Sequence, residues 1–290
     1  MVVDSEPEGF SSLQESLVEG PRATVDLRTD VAHSARIYDY FLGGKDNFPA
    51  DRQAAAQIQA AFPHTPAAAV QNRAFLVRTT RYLAGEAGIR QFLDIGTGIP
   101  TSPNLHEVVQ AVAPQSRVVY ADNDPIVLAH ARALLTSDPR GRTAYLDADL
   151  RDPGRILNAP ELRDTLDLTQ PVALSVIAVL HFVPVEHDQY GIIRTLVDVL
   201  PSGSYLTMSY LTADRNPDQV AKLVSAYRAQ GIDVTARTRA EVARFFQGLD
   251  LVPPGLVPVH LWRPDDTAAA GDFVTEAGGN IVWSAVAQKP

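Results

Sequence analysis

The sequence predicts a doubly wound α/β fold: a mainly parallel, seven-stranded sheet with an antiparallel C-terminal edge hairpin and an N-terminal helical cap. Three observations predict it. From Gln91 onward, short apolar runs alternate with helical patterns, the order expected of a parallel sheet covered by helices. One run, residues 172–180, is apolar but for Ser175, as a central strand buried on both faces is expected to be. The run 91–95 breaks into a glycine turn, Gly96-Thr97-Gly98, and a helical pattern resumes at Pro103.

Composition sets the outer bounds. At 290 residues the chain has room for one large domain or two small ones, and no linker or internal repeat divides it. A formal net charge of −9 argues against a nucleic-acid surface, which needs concentrated Lys and Arg. The absence of cysteine excludes thiol catalysis, disulfides and Cys-ligated zinc. The histidines are scattered without paired spacing, so no metal site is expected, and no G-x-S-x-G elbow points to a serine hydrolase. The N-terminus lacks the basic and apolar regions of a signal peptide. No apolar run is long enough to span a bilayer, and the expected location is the cytoplasm.

Residues 1–20 are acidic and rich in Ser, Glu and Gly, the composition of a mobile tail. Residues 21–290 read as one domain, with 21–90 as helical cap and 91–290 as core. In the cap, a helix is expected over 34–42, capped by Ser34 and ended by Gly43-Gly44. A polar loop through Asn47 follows, then helices over about 49–62 and 67–86. In the core, strand 91–95 leads to a helix at 103–113, and strand 117–121 ends at Asp122 before a helix opened by Pro125. Strand 143–146 runs into Asp147-Ala148-Asp149, and 152–168 reads as helical pieces. Strand 172–180, helix 188–200, strand 204–210 and helix 217–229 follow, then a Thr238-capped helix over 239–247. The last two strands, about 256–262 and 281–287, have no helix between them, only the loop 263–279. That is the basis of the antiparallel hairpin.

In open α/β sheets, ligands sit outside the carboxyl ends of the strands. Three of those ends carry acids here: Asp94, Asp122 and Asp149. Gly96 and Gly98 remove Cβ atoms where a ligand must approach, and the turn is expected to aim free helix N–H groups at it. Asp122 is placed to accept from two ribose hydroxyls, and Asp149 from the exocyclic amine of a base. The plainer alternative is that such acids are N-caps, with Asp124 a second cap candidate before Pro125. A dinucleotide turn needs a third glycine, but Thr101 stands there. A nucleoside with an amino-acid tail, such as S-adenosylmethionine, fits better.

The stretches FLDIGTGIPTSPNLHEV, VVYADNDPIVLAHARALL and YLDADLRDP resemble the S-adenosylmethionine-dependent methyltransferases of the class I, Rossmann-like fold. With ARIYDYFLGGKDNFPADR, VLHFVP, LPSGSYL and LWRP, the chain is similar to an actinobacterial family of these enzymes long labelled a domain of unknown function. The resemblance implies S-adenosylmethionine as cofactor. Gly96 and Gly98 would line its methionine part, Asp94 would help hold its ammonium directly or through water, Asp122 would bind its ribose hydroxyls, Asn123 would be a further cofactor contact, and Asp149 with Leu150 would bracket its adenine. Val179 and the following residues would face the methyl donor, and Tyr38 to Asn47 would close over the cofactor. Val185 and Tyr210 depart from the family pattern on the acceptor side.

Methyl transfer from a sulfonium is an in-line displacement, so the protein must align the nucleophile, exclude water and, for a protonated acceptor, remove a proton. His181 is the base candidate, with a purely structural hydrogen-bonding role as the alternative. Tyr38, Tyr40 and Phe41 either touch the sulfonium through cation–π attraction or form the core side of a cap helix. Three readings stay open: methylation of a small-molecule acceptor, a cofactor-binding regulator without transfer activity, and a nicotinamide-dependent oxidoreductase.

Overall fold

The computed structural model describes residues 27–134, 137–264 and 281–290. The expected tail, 1–20, and all but the start of the loop 263–279 lie outside the described residues. Three helices come first: α1 (Ser34–Phe41), α2 (Pro49–Ala61) and α3 (Thr65–Gly85). The alternating core follows: β1 (Gln91–Ile95), α4 (Leu105–Val112), β2 (Arg117–Asp122), α5 (Pro125–Leu134) and β3 (Arg142–Asp147). Two short helices, α6 (Pro153–Asn158) and α7 (Pro160–Arg163), lead to β4 (Ala173–Ile177), α8 (Gln189–Asp198), β5 (Tyr205–Leu211) and α9 (Pro217–Ala229). The chain then forms α10 (Arg239–Ala243), β6 (Asp250–Leu251), β7 (Val257–Pro258) and β8 (Val282–Gln288).

The sheet runs β3-β2-β1-β4-β5-β8-β6, with β7 also paired to β8. Strands β1 to β5 are parallel, and β8 is antiparallel to β5. The chain winds outward from β1 to β3, returns to β4 and winds the other way. The order therefore reverses between β1 and β4, where a crevice opens. Every residue of β1, β4 and β5 is buried, which is why their sequences are mainly apolar and do not alternate with exposed polar residues.

The strand count is eight, not seven. The outermost position is shared by two dipeptide strands: β6 pairs with β8 at Gln288 and Ala287, and β7 pairs with it at Ser284 and Trp283. Pro253 and Pro254 lie between them and have no N–H to donate, so one continuous edge strand cannot form. The expected hairpin is present as β7–β8, but β8 sits inside the sheet, between β5 and those fragments. The expected strand over 256–262 shrinks to β7, and Val259–Leu261 is a 3-10 turn. Strand β4 also ends earlier than expected. Ala178 adopts φ +54, which breaks the pleat, and Leu180–Phe182 coils into a 3-10 turn.

The cap packs on the core through one shared apolar cluster that includes Ile37, Phe41 and Phe75 with Phe92 and Ile95. Ser34 is the first helical residue rather than the cap; the His33 side chain accepts from the Ala35 N–H instead. No helix among the described residues is long and apolar enough to cross a membrane.

Candidate active site

The C-terminal ends of β3, β2, β1 and β4 open into one cavity of about 470 Å³. Its sheet side consists of residues 148–151, 122–125, 95–98 and 177–179, the turns that follow those strands. The cap supplies the other side: His33, Arg36 and Tyr38 from the start of α1, and Asn72, Arg73 and Leu76 from α3. Past β4 the wall is apolar, with Phe182, Val183, Pro184 and Ile232.

In the glycine turn, Gly96 and Gly98 have φ +73 and +68, the left-handed region that favours glycine. Their reasons differ. A Cβ on Gly96 would overlap the Val179 side chain, so this position answers to packing against the end of β4. At Gly98 no atom lies within 4 Å of where a Cβ would stand, so the backbone here is open to the cavity.

The turn amides are not aimed at a ligand, contrary to expectation. Gly96 N–H donates to Ala121 O at 2.8 Å, and Gly98 N–H donates to Asp122 Oδ2 at 2.8 Å. Nor does the next helix offer its amides. Helix α4 starts two residues later than expected and is closed by a capping box of Asn104 and Glu107. A pyrophosphate would find no free helix N-terminus here.

The three strand-end acids lie in different environments. Asp94 is buried at the base of the cavity. Desolvation raises its pKa to about 6, against the opposing effects of a Ser175 hydrogen bond and the Arg73 charge. Asp122 is also buried and raised by desolvation, although the N–H groups of Asp124 and Gly98 hydrogen-bond to it. Asp124 is the true cap of α5, accepting from the Ile126 N–H at 2.9 Å. Burial alone would raise Asp149, but hydrogen bonds from Arg151 and Asn123 hold it down at about 2. Asp149 is thus a permanent anion braced by an arginine, a partner the sequence motif did not suggest.

Nine of the sequence-predicted residues line the cavity: Tyr38, Asp94, Gly96, Gly98, Asp122, Asn123, Asp149, Leu150 and Val179. Two do not. Asn47 is buried under the cap, where its Nδ2 donates to Asp39 Oδ2 at 2.8 Å and to Gly44 O at 3.1 Å. It holds the loop after α1 closed. His181 turns into the core, with its ring 4.3 Å from Phe182 and 5.7 Å from Tyr210, centroid to centroid. Burial pushes its pKa down to about 3, so it is neutral and a weak base. Tyr38 lines the cavity with its hydroxyl already engaged. Ala178 N–H donates to Ser209 Oγ, which donates to Asn72 Oδ1. Asn72 Nδ2 donates to Tyr38 Oη, which donates to Ala69 O. This relay locks α1, α3, β4 and β5 together at the cavity wall. Among the cavity residues that sequence reasoning missed are His33, which caps α1, and Arg36, Asn72 and Arg73, which lie on cap helices with no strand end to mark them.

A family model of S-adenosyl methyltransferases matches residues 21–290. The chain belongs to this family. It is similar to a crystal structure of a DUF574 family protein from Streptomyces avermitilis, with 55% identity and a TM-score of 0.88 over 91% of this chain and 100% of that one. It is also similar to a proposed methyltransferase from Thermobifida fusca, with 42% identity and a TM-score of 0.81 over 91% and 97% of the two chains. The plantazolicin methyltransferase BamL shares the fold alone, at 10% identity and a TM-score of 0.50 over 89% of this chain and 96% of that one. Among curated proteins nothing matches. The protein is an S-adenosylmethionine-dependent methyltransferase of class I fold. Among the described residues no group of three or more His, Asp or Glu could hold a metal ion.

Proposed function

We propose that the cavity over β3, β2, β1 and β4 holds S-adenosylmethionine stretched along the strand ends and presents its methyl group to a small-molecule acceptor beyond β4. When bound, the cofactor supplies a methyl group activated by its sulfonium charge. Everything else falls to this chain. Asp94 receives the ammonium of the amino-acid tail, Gly98 lets the ligand approach the backbone, and Asp122 with Asn123 takes the ribose. Asp149 and Leu150 border the adenine, and Val179 stands beside the reacting carbon. Phe182, Val183, Pro184 and Ile232 form an apolar wall that excludes water from the acceptor end.

The observation that carries this reading is Asp94. A carboxylate whose pKa burial raises to about 6 lines the same cavity as Gly98, which has open space where a Cβ would stand. Such a group favours a cation as neighbour and repels a pyrophosphate. With the capped start of α4, this sets the nicotinamide reading aside. Nothing in the geometry favours a regulator: the apolar acceptor end and the locked Tyr38 relay suit transfer chemistry.

Calorimetric titration with S-adenosylhomocysteine, with NAD as control, tests the placement. Micromolar binding of the first and none of the second is expected. The reverse would reject it.

A further inference from the structure

Arg73 reaches from α3 into the same cavity as Asp94. Its Nη2 donates to the carbonyls of Thr101 and Pro103, the latter at 2.8 Å, on the loop that follows the glycine turn. Its Nε is buried without a hydrogen-bond partner. It lines the β1 end of the cavity with Tyr38, Asp94 and Gly96, and its charge acts to lower the pKa of Asp94. Arg73 lowers the pKa of Asp94 only in part: desolvation still outweighs it. A cation and an anion thus share one cavity wall, and neither is satisfied by the other. That pair of charges is complementary to a zwitterion. Nη2 is spent on the two loop carbonyls, so a carboxylate is met by the guanidinium charge and the remaining donors, of which Nε–H lacks an acceptor.

We infer that Arg73 is the carboxylate-reading residue of this site. It binds the α-carboxylate of the cofactor's amino-acid tail while Asp94 takes the ammonium, so that ligands lacking the carboxylate are discriminated against. The inference rests on the placement of the cofactor proposed above. It also gives the cap a direct part in ligand recognition, because Arg73 stands on α3 and not on any strand end. The competing role is structural, with Arg73 only latching α3 to the 101–103 loop.

Calorimetry with two probes separates these roles: S-adenosylhomocysteine, and the same molecule without its carboxylate. The wild type should bind the decarboxylated probe about ten- to a hundredfold more weakly. Arg73→Gln should lose the same factor for S-adenosylhomocysteine and bind both probes equally. Arg73→Lys, which keeps the charge but not the Nε–H, should retain part of the preference. Equal binding of both probes by the wild type overturns the inference, and so does an Arg73→Gln variant weakened equally toward both. If Arg73→Gln does not fold, the wild-type preference and the lysine variant decide. A wild type that binds neither probe overturns the placement of the cofactor itself, and the inference with it.

Discussion

Asp94 is a carboxylate almost wholly buried at the base of the cavity, and its consequences follow at the level of the single residue. Its pKa rises from 3.8 to about 6 on folding, so the folded chain holds this proton more tightly than the unfolded one. The stabilising contribution is complete below pH 3.8 and is lost as pH rises through about 6. At neutral pH the ionised side chain is a burden on the ligand-free fold. Asp94→Asn should therefore stabilise the ligand-free protein at pH 7 by up to about 3 kcal/mol in urea denaturation, and weaken S-adenosylhomocysteine binding. Wild-type affinity should be flat above pH 7 and fall by about tenfold per pH unit below pH 6, because the proton must leave before the ammonium can pair. The variant should lack that slope; a variant that keeps it would clear Asp94 of the role. His181 makes the opposite case. Burial holds its pKa near 3 and it does not line the cavity, which argues against a role as general base. His181→Phe should leave the pH–rate profile unchanged, and loss of a hundredfold or more in kcat with cofactor binding intact would restore the base assignment.

At the scale of elements, the decisive feature is the meeting of the β1 turn with the end of β4. Gly96 packs under Val179, and Ala178 turns into the left-handed region to bring that residue across. Gly96→Ala combines backbone strain with overlap, and should cost about 2–4 kcal/mol of stability. Gly98→Ala meets open space and should cost only about 1–2 kcal/mol, while blocking the cradle. The two variants should thus separate: Gly96→Ala lowers the urea midpoint more, and Gly98→Ala lowers S-adenosylhomocysteine affinity more. Equal effects on both measurements would mean that the two glycines serve one purpose.

Over the whole molecule, the cap is tied to the core by buried charge. Arg36 Nε lies 3.2 Å from Asp124 Oδ2, and its Nη1 lies 3.6 Å from Asp51 Oδ2, with all three side chains at most 3% exposed. His33 Nδ1 adds a contact to Asp124 at 3.0 Å, and Asp124 N–H donates to Asp122. One connected set of groups therefore joins α1, α2 and the β2 end where the ribose is proposed to lie. Arg36→Met leaves two buried carboxylates without their cation and should cost about 3–5 kcal/mol in urea denaturation. S-adenosylhomocysteine affinity should fall with it. A loss under 1 kcal/mol would show that the cap is held by its apolar cluster alone.

The alternation of strands and helices in the core, the glycine turn and the acids at three strand ends were all legible along the chain. They are local patterns: period, punctuation and a carboxylate at the end of an apolar run. The broken edge strand was expected as one strand over 256–262, although Pro253 and Pro254 forbid a continuous ladder with the residues before them. Three-dimensional packing alone decided the rest. It turned His181 inward, because the 3-10 turn after Ile177 rotates the strand end away from the line that a straight strand would follow. It capped α4 and drew the turn amides into the fold. It also brought Arg36, Asn72 and Arg73 over the crevice from helices remote in sequence. Which side chains of the cap face a ligand depends on how two separately patterned units dock, and no spacing within either unit records that.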